Sequence, residues 1–164
     1  MQIRKTTPED VDTILNIFDI ARQFMQRTGN KTQWDKNYPS ANILTQDIKN
    51  GNNYVCVENG RVVATFSLII GDEPTYHLIE DGDWHLDASY GTIHRLASDG
   101  TVKGIARACF DFCKAQISYL RVDTHADNIP MQTCFNQNGF KKCGKVYVQN
   151  GSPRIAYDYI EISE

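Results

Sequence analysis

The chain has 164 residues, 41% of them hydrophobic and 23% charged, with a formal net charge of -3. That length suits a single domain, residues 1–164, able to bury roughly 70% of the surface its unfolded chain would expose. The composition excludes wholesale disorder, collagen-like repeats and coiled coil. No nucleic-acid partner is expected, because phosphate contacts need a clustered excess of Lys and Arg.

Met1-Gln2-Ile3-Arg4-Lys5 is soon broken by Pro8, so a secretory leader is not expected. The longest apolar-rich run, Val62 to Ile70, is interrupted by Thr65 and Ser67 and falls far short of the roughly 20 residues a membrane helix needs. A soluble, cytoplasmic protein with no membrane partner is the expectation. Five cysteines, an odd set without a C-x-x-C pair, fit reduced thiols better than a disulfide or zinc framework, and no metal is expected.

In chain order, Gln2 to Thr6 alternates as a strand, and Thr7-Pro8-Glu9-Asp10 then supplies a cap, a first-turn proline and acidic first-turn residues. Val11, Ile14, Leu15, Phe18, Ala21 and Met25 recur at helical spacing, which predicts a helix over about 8–27. After an aperiodic aromatic stretch, Ser40 caps a short helix carrying Ile43, Leu44 and Ile48. Residues 54–58 and 61–70 read as strands joined at Asn59-Gly60, a hairpin turn pair. Residues 71–88 are acidic and aromatic without a sustained period, an insertion between strands. A strand over 90–98, a Gly-containing turn and a helix presenting Ile105, Ala108, Cys109, Phe112 and Cys113 follow. Residues 119–123 return as a strand parallel to the previous one, by a right-handed crossover. A helix opened by Asn128-Ile129-Pro130 and a last hairpin over 140–149 and 154–160 complete an α/β order, which implies one mixed sheet with helices on both faces.

The chemistry concentrates where the strand ending Leu96-Ala97-Ser98 turns through Val102-Lys103-Gly104-Ile105-Ala106-Arg107 into a helix. Small residues there let several backbone N–H groups converge, and the helix N-terminus adds about half a positive charge, an environment suited to a pyrophosphate. The same residues also serve close packing in many strand-to-helix turns. Gly104 is not followed by Lys-Ser/Thr, and no G-x-G-x-x-G follows the first strand, so neither common nucleotide motif is present.

Combined, these features resemble the GCN5-related N-acetyltransferase (GNAT) superfamily, which moves an acyl group from acyl-CoA to an amine. The family's Q/R-x-x-G-x-G/A corresponds to Thr101-Val102-Lys103-Gly104-Ile105-Ala106, preceded by Leu96-Ala97-Ser98 in place of L-x-V. Asn128 and Gly139-Phe140 stand as in N-x-x-A-x-x-L-Y-x-x-x-G-F, and the element order agrees from the N-terminal helix pair to the final hairpin. The resemblance implies a mixed, mainly antiparallel sheet of about seven strands whose parallel pair splays apart at the CoA site. It implies acetyl-CoA as co-substrate, direct attack by an amine in a ternary complex, and a small-molecule or peptide acceptor. A homodimer is a family-level expectation.

Carried over residue by residue, the amides of Val102, Lys103, Gly104, Ile105, Ala106 and Arg107 would bind the pyrophosphate. Leu96, Ala97 and Ser98 would pair with pantetheine through main-chain groups, a strand amide near Leu96 would stabilise the oxyanion, and Asn128 would contact the same arm. Trp34, Tyr38 and the acidic insertion at Glu80, Asp81 and Asp83 would border the acceptor, although solvated acidic loops and anchoring tryptophans are equally common.

Two departures stand out. Thr101 replaces the usual Gln or Arg, a loss that weakens a mostly main-chain site without abolishing it. Phe135, also expected against the cofactor, replaces the tyrosine credited with protonating the CoA thiolate. A thiol of pKa roughly 8.5 forgoes only about 2 kcal/mol by leaving as thiolate at pH 7, whereas an alkylammonium of pKa about 10.4 must lose a proton at roughly 4.6 kcal/mol before attack. The base therefore matters more than the acid. His94, two residues before Leu96-Ala97, matches a histidine of some aryl-alkylamine acetylating members and is the candidate base. Strand alternation would put it on one face with Thr92, Leu96 and Ser98; the alternative is a structural histidine. His125 is a second candidate or a loop-orienting residue, and Cys134 reads as a small packed hydrophobe. The missing tyrosine leaves a rival: a non-catalytic acyl-CoA-binding or regulatory module.

Overall fold

A computed structural model describes residues 1–162. Strand β1 (Gln2–Lys5) leads into a 3₁₀ turn at Pro8–Asp10 and helix α1 (Val11–Arg27). The Asp10 carboxylate accepts from the Thr7 N–H at 2.8 Å and also pairs with Arg4, so the predicted entry signal works through Asp10 as much as through Thr7. Helix α2 (Ala41–Lys49) is capped by Ser40, whose Oγ accepts from the Ile43 N–H. There follow β2 (Asn53–Glu58), β3 (Arg61–Ile70), β4 (Gly91–Ser98), α3 (Ile105–Gln116), β5 (Tyr119–Thr124), α4 (Ile129–Gln137), β6 (Lys141–Tyr147) and β7 (Pro153–Ile160).

The seven strands form one sheet in the order β1-β2-β3-β4-β5-β7-β6, antiparallel except for β4 and β5. One face carries α1 and α2, where Ile14, Ile17, Phe18 and Leu44 pack on Val55 and Ala97. The other carries α3 and α4, where Cys109, Phe110, Cys113 and Phe135 meet Phe66, Leu120, Val122 and Tyr157. These apolar stripes are the periodic positions of the sequence, and their burial is what holds both helix pairs to the sheet.

The insertion over residues 71–90 folds across β5, β7 and β6 on a third cluster of Tyr76, Tyr90, Tyr119 and Val146. The Arg121 guanidinium lies 4.4 Å from the Trp84 ring centre and 4.2 Å from that of Tyr90, so Trp84 anchors the insertion. No helix among the described residues is long and apolar enough to cross a membrane.

Candidate active site

The parallel ladder between β4 and β5 spans only Gly91↔Leu120 and Thr92↔Arg121. β5 stays paired with β7 along its whole length, and β4 stays with β3 as far as Ser98, so beyond Thr92 the two strands part. The edge of β4 that turns away from β3 is left without a ladder partner and can pair with an extended ligand arm.

A bulge sharpens the divergence. Ser67 faces His94 and Thr65 faces Ala97, so β4 carries one extra residue here, and Arg95 sits at φ 57°. A non-glycine residue in that left-handed region is strained by about 1–2 kcal/mol. It is held there by its side chain: Nε and Nη2 donate to the two Asp47 carboxylate oxygens, each at 2.9 Å, and Nη1 donates to the Tyr38 hydroxyl at 3.2 Å.

The bulge corrects the expected alternation. His94 lies across from Ser67, which donates to Asp47, and so points to the α1/α2 face, as does Ala97. Leu96 packs with the α3/α4 core, and Ser98 faces Ala64 of that same core. His94 therefore does not share a face with Leu96 and Ser98, because the extra residue shifts the period-2 pattern by one.

Two neighbouring cavities lie at the opening. The inner one, about 60 Å³, is lined by Leu96, Phe110, Val122, Asn128, Met131 and Phe135 among others. The outer, about 610 Å³, is bordered by Tyr38, Asp47, Glu73, His94 and Arg154, with the β6–β7 turn residues Val148 to Asn150 along one side. Gln33, Trp34, Ile93, Arg95 and Asp123 line both, which marks their junction.

At the start of α3, Gly104 has φ 80° and ψ 14° and offers no side-chain cap. Among the described residues, the backbone N–H groups of Val102, Lys103 and Gly104 donate to no protein oxygen and a hydrogen-bonded turn at Lys103-Gly104 leads into α3, whereas the N–H groups of Gly100 and Thr101 are taken by Ser98 and Asp99. The open amides of this turn and of the helix N-terminus make an environment suited to an anion. Thr101 is tied to Asp99 and to Arg61, at 2.6 and 2.9 Å, so it braces the loop. The buried Asn128 caps α4 through Oδ1 and donates to Gln33 Oε1 at 2.9 Å. Phe135, 3% exposed, stacks among Phe110, Phe140 and Tyr157, with no hydroxyl at this point.

Trp34 and Tyr38 both line the outer cavity, the Trp34 ring edge-on to Phe18 and to Tyr38. Glu80 is a correction: its backbone bridges Lys145 of β6 through two 2.8 Å hydrogen bonds, and it lines neither cavity. The insertion instead contributes Glu73, whose carboxylate lies 3.8 Å from His94 Nε2. Burial, and then the Arg95 charge, push the His94 imidazole down to about 3, so it is neutral at physiological pH. Asp123 moves the opposite way: burial raises its carboxyl above the ordinary range even though the Tyr76 hydroxyl donates to it at 2.6 Å. His125 is a turn residue, 3.1 Å from the Thr32 hydroxyl, with Nδ1 accepting from the Asp127 N–H. Cys134 is half-buried on α4, its thiol pushed up by burial.

Arg95, Asp47, Asp123, Glu73 and Arg154 were missed by sequence reading. The only available signal was Asp123 at the end of a strand, since the others converge from remote segments. His85, Cys143 and Asp158 also bring ligand-type atoms within 4.8 Å of one another, but His85 Nδ1 and Asp158 Oδ1 are 2.7 Å apart. Two tetrahedral zinc ligands would stand about 3.3 Å apart, so this is a hydrogen-bonded polar cluster.

No family model matches the sequence, and none of the curated proteins does. Among solved structures, a GNAT-family acetyltransferase from Streptococcus agalactiae 2603 is 32% identical over 99% of this chain and 96% of its own, with a TM-score of 0.90. A Staphylococcus aureus Mu50 protein classed as an acetyltransferase is 27% identical over 98% and 99%, at a TM-score of 0.71. GphF, a GNAT-like decarboxylase in complex with isobutyryl-CoA, shares the fold at 13% identity over 98% and 99%, with a TM-score of 0.68. The chain belongs to the GNAT family of acetyltransferases.

Proposed function

We propose that this protein transfers an acetyl group from acetyl-CoA to an amine by direct attack in a ternary complex. The observation that carries this reading is the parting of β4 and β5, where an inner cavity lined by Leu96, Asn128 and Phe135 shares a wall with an outer cavity edged by carboxylates. The pyrophosphate would rest on the N–H groups of Val102 to Arg107, and pantetheine would run along the unpaired edge of β4 at Leu96 to Ser98. The thioester would then reach the junction at Asp123 and Arg95.

The amine nitrogen forms its bond to the thioester carbonyl carbon as the C–S bond breaks. Asp123 takes the ammonium proton and passes it to solvent in the outer cavity; the departing thiolate takes its proton from solvent. Asp123 replaces His94 in this role because its desolvated carboxylate is a stronger base than usual, whereas an imidazole held at about 3 accepts a proton poorly. His94 lines the acceptor pocket beside Glu73.

One observation favours a second reading, an acyl-CoA-binding module without turnover: Phe135 offers no proton to the leaving thiolate. Release of free CoA thiol, followed with purified protein, acetyl-CoA and a panel of primary amines, separates the two. Amine-dependent thiol release is the expected result. Saturable acetyl-CoA binding with no release for any amine would favour the module.

A further inference from the structure

The outer cavity holds charge of both signs that the protein itself does not neutralise. Asp47 is committed to Arg95 by a two-pronged pair. Glu73 and Asp123 have no Arg or Lys within salt-bridge distance among the described residues, and His94 beside Glu73 is neutral. Arg154, at the start of β7, is only 6% exposed and likewise has no carboxylate within that distance. Its Nη1 donates to Ser152 Oγ and the Pro153 carbonyl, and its Nη2 donates to the Gln33 carbonyl at 3.4 Å. Of the five guanidinium N–H groups, two have no protein acceptor among the described residues, and Arg154 lines the outer cavity. Arg154 and Asp123 lie too far apart to pair, yet each feels the other's charge, as Arg154 also feels the nearby Tyr38 phenol.

A buried guanidinium without a carboxylate is costly, and a planar fork of this kind matches a carboxylate in a two-pronged bond. A simple amine would use the carboxylates and leave Arg154 uncompensated; a dipolar ligand satisfies both signs. We propose that the acceptor carries a carboxylate beside its amine, as a free amino acid does, with the carboxylate on Arg154 and Tyr38 and the amine facing Asp123 and Glu73. The substrate class rests on the acetyl transfer proposed above. The pocket itself can be tested without turnover.

The experiment compares matched pairs that differ only in the carboxylate: phenylalanine with 2-phenylethylamine, leucine with 3-methylbutylamine, and lysine with cadaverine. Each is assayed for thiol release with acetyl-CoA, and for calorimetric binding to the protein saturated with free CoA. The expected result is a preference for the amino acid of at least one pair by roughly 10- to 100-fold in kcat/KM and in affinity, the range of a charge-assisted hydrogen-bond pair. Arg154→Met should collapse that preference and Arg154→Lys restore part of it, with acetyl-CoA affinity and thermal melting as controls for folding. Turnover with no preference in any pair would overturn the carboxylate pocket and leave acetyl transfer standing. Arg154-dependent binding of amino acids without thiol release would keep the pocket and remove the transfer reading. Neither binding nor turnover of any amino acid would sink the proposal.

Discussion

At the scale of single residues, two side chains on the wall of the outer cavity are driven in opposite directions by the same cause, burial. Desolvation disfavours the charged form, so it makes Asp123 a better base and His94 a poorer one. Asp123→Asn is therefore expected to lower kcat by about 10²-fold or more with acetyl-CoA affinity intact, while His94→Gln costs only a few-fold. The wild-type rate should fall on the acid side through a pKa above the ordinary carboxylate value. Initial rates against pH for the three proteins check this, and a greater loss in His94→Gln would return the base role to the imidazole.

His94 has a separate effect on stability. Its folded-state value near 3 lies below an unfolded value of about 6.5, so the unfolded chain binds the extra proton between those pH values. The fold should lose stability as pH falls from about 6.5 towards 3. Asp123, raised in the fold, contributes in the opposite sense and is favourable at low pH. Melting temperatures over that window should decline less steeply for His94→Gln than for the wild type; equal slopes would show that the histidine is not buried neutral.

At the scale of elements, the strained turn in β4 and the open start of α3 are the parts on which the proposed function depends. Asp47 on α2 holds Arg95 in its left-handed conformation, and removing it leaves a largely buried guanidinium without its counter-charge. Asp47→Ala should destabilise the protein by about 3 kcal/mol in denaturant titration. Gly104, at φ 80°, occupies a conformation that costs an L residue about 1 kcal/mol. A Cβ there meets no protein atom within 4 Å, so it would project into the space beside the open amides. Gly104→Ala should lower Tm by about 2–4 °C and weaken acetyl-CoA binding about tenfold in calorimetry; unchanged affinity would place the pyrophosphate elsewhere.

At the scale of the whole molecule, the sheet is two blocks, β1–β4 and β5-β7-β6, whose ladders join through only two residue pairs. A cofactor seated in the opening would contact both blocks and stabilise the folded state by mass action. At a hundred times its Kd, acetyl-CoA should contribute about 2.7 kcal/mol, or a rise in Tm of roughly 5–10 °C. Differential scanning calorimetry with acetyl-CoA, CoA and AMP would measure it, and an AMP shift as large as that of acetyl-CoA would argue against a pantetheine channel.

What the sequence determined by itself was whatever depends on local periodicity and short spacing. The helical stripe from Val11 to Met25, the hairpin turn at Asn59-Gly60, the open turn before Ile105 and the Asn128 cap were all legible, because each is decided by neighbours a few residues apart. Glu80 was misplaced because an acidic stretch without a period does not reveal which carboxylate turns inward; backbone pairing with Lys145 carried Glu80 to the sheet edge and left Glu73 at the cavity. The face of His94 was misjudged because one extra residue at Arg95 inverts the alternation, and the bulge depends on Asp47, forty-eight positions away. The charge balance of the outer cavity was decided only by tertiary structure. Which of Asp47, Glu73, Asp123, Arg95 and Arg154 neutralise one another depends on distances between remote segments, and desolvation in the assembled fold sets how strongly each holds its proton.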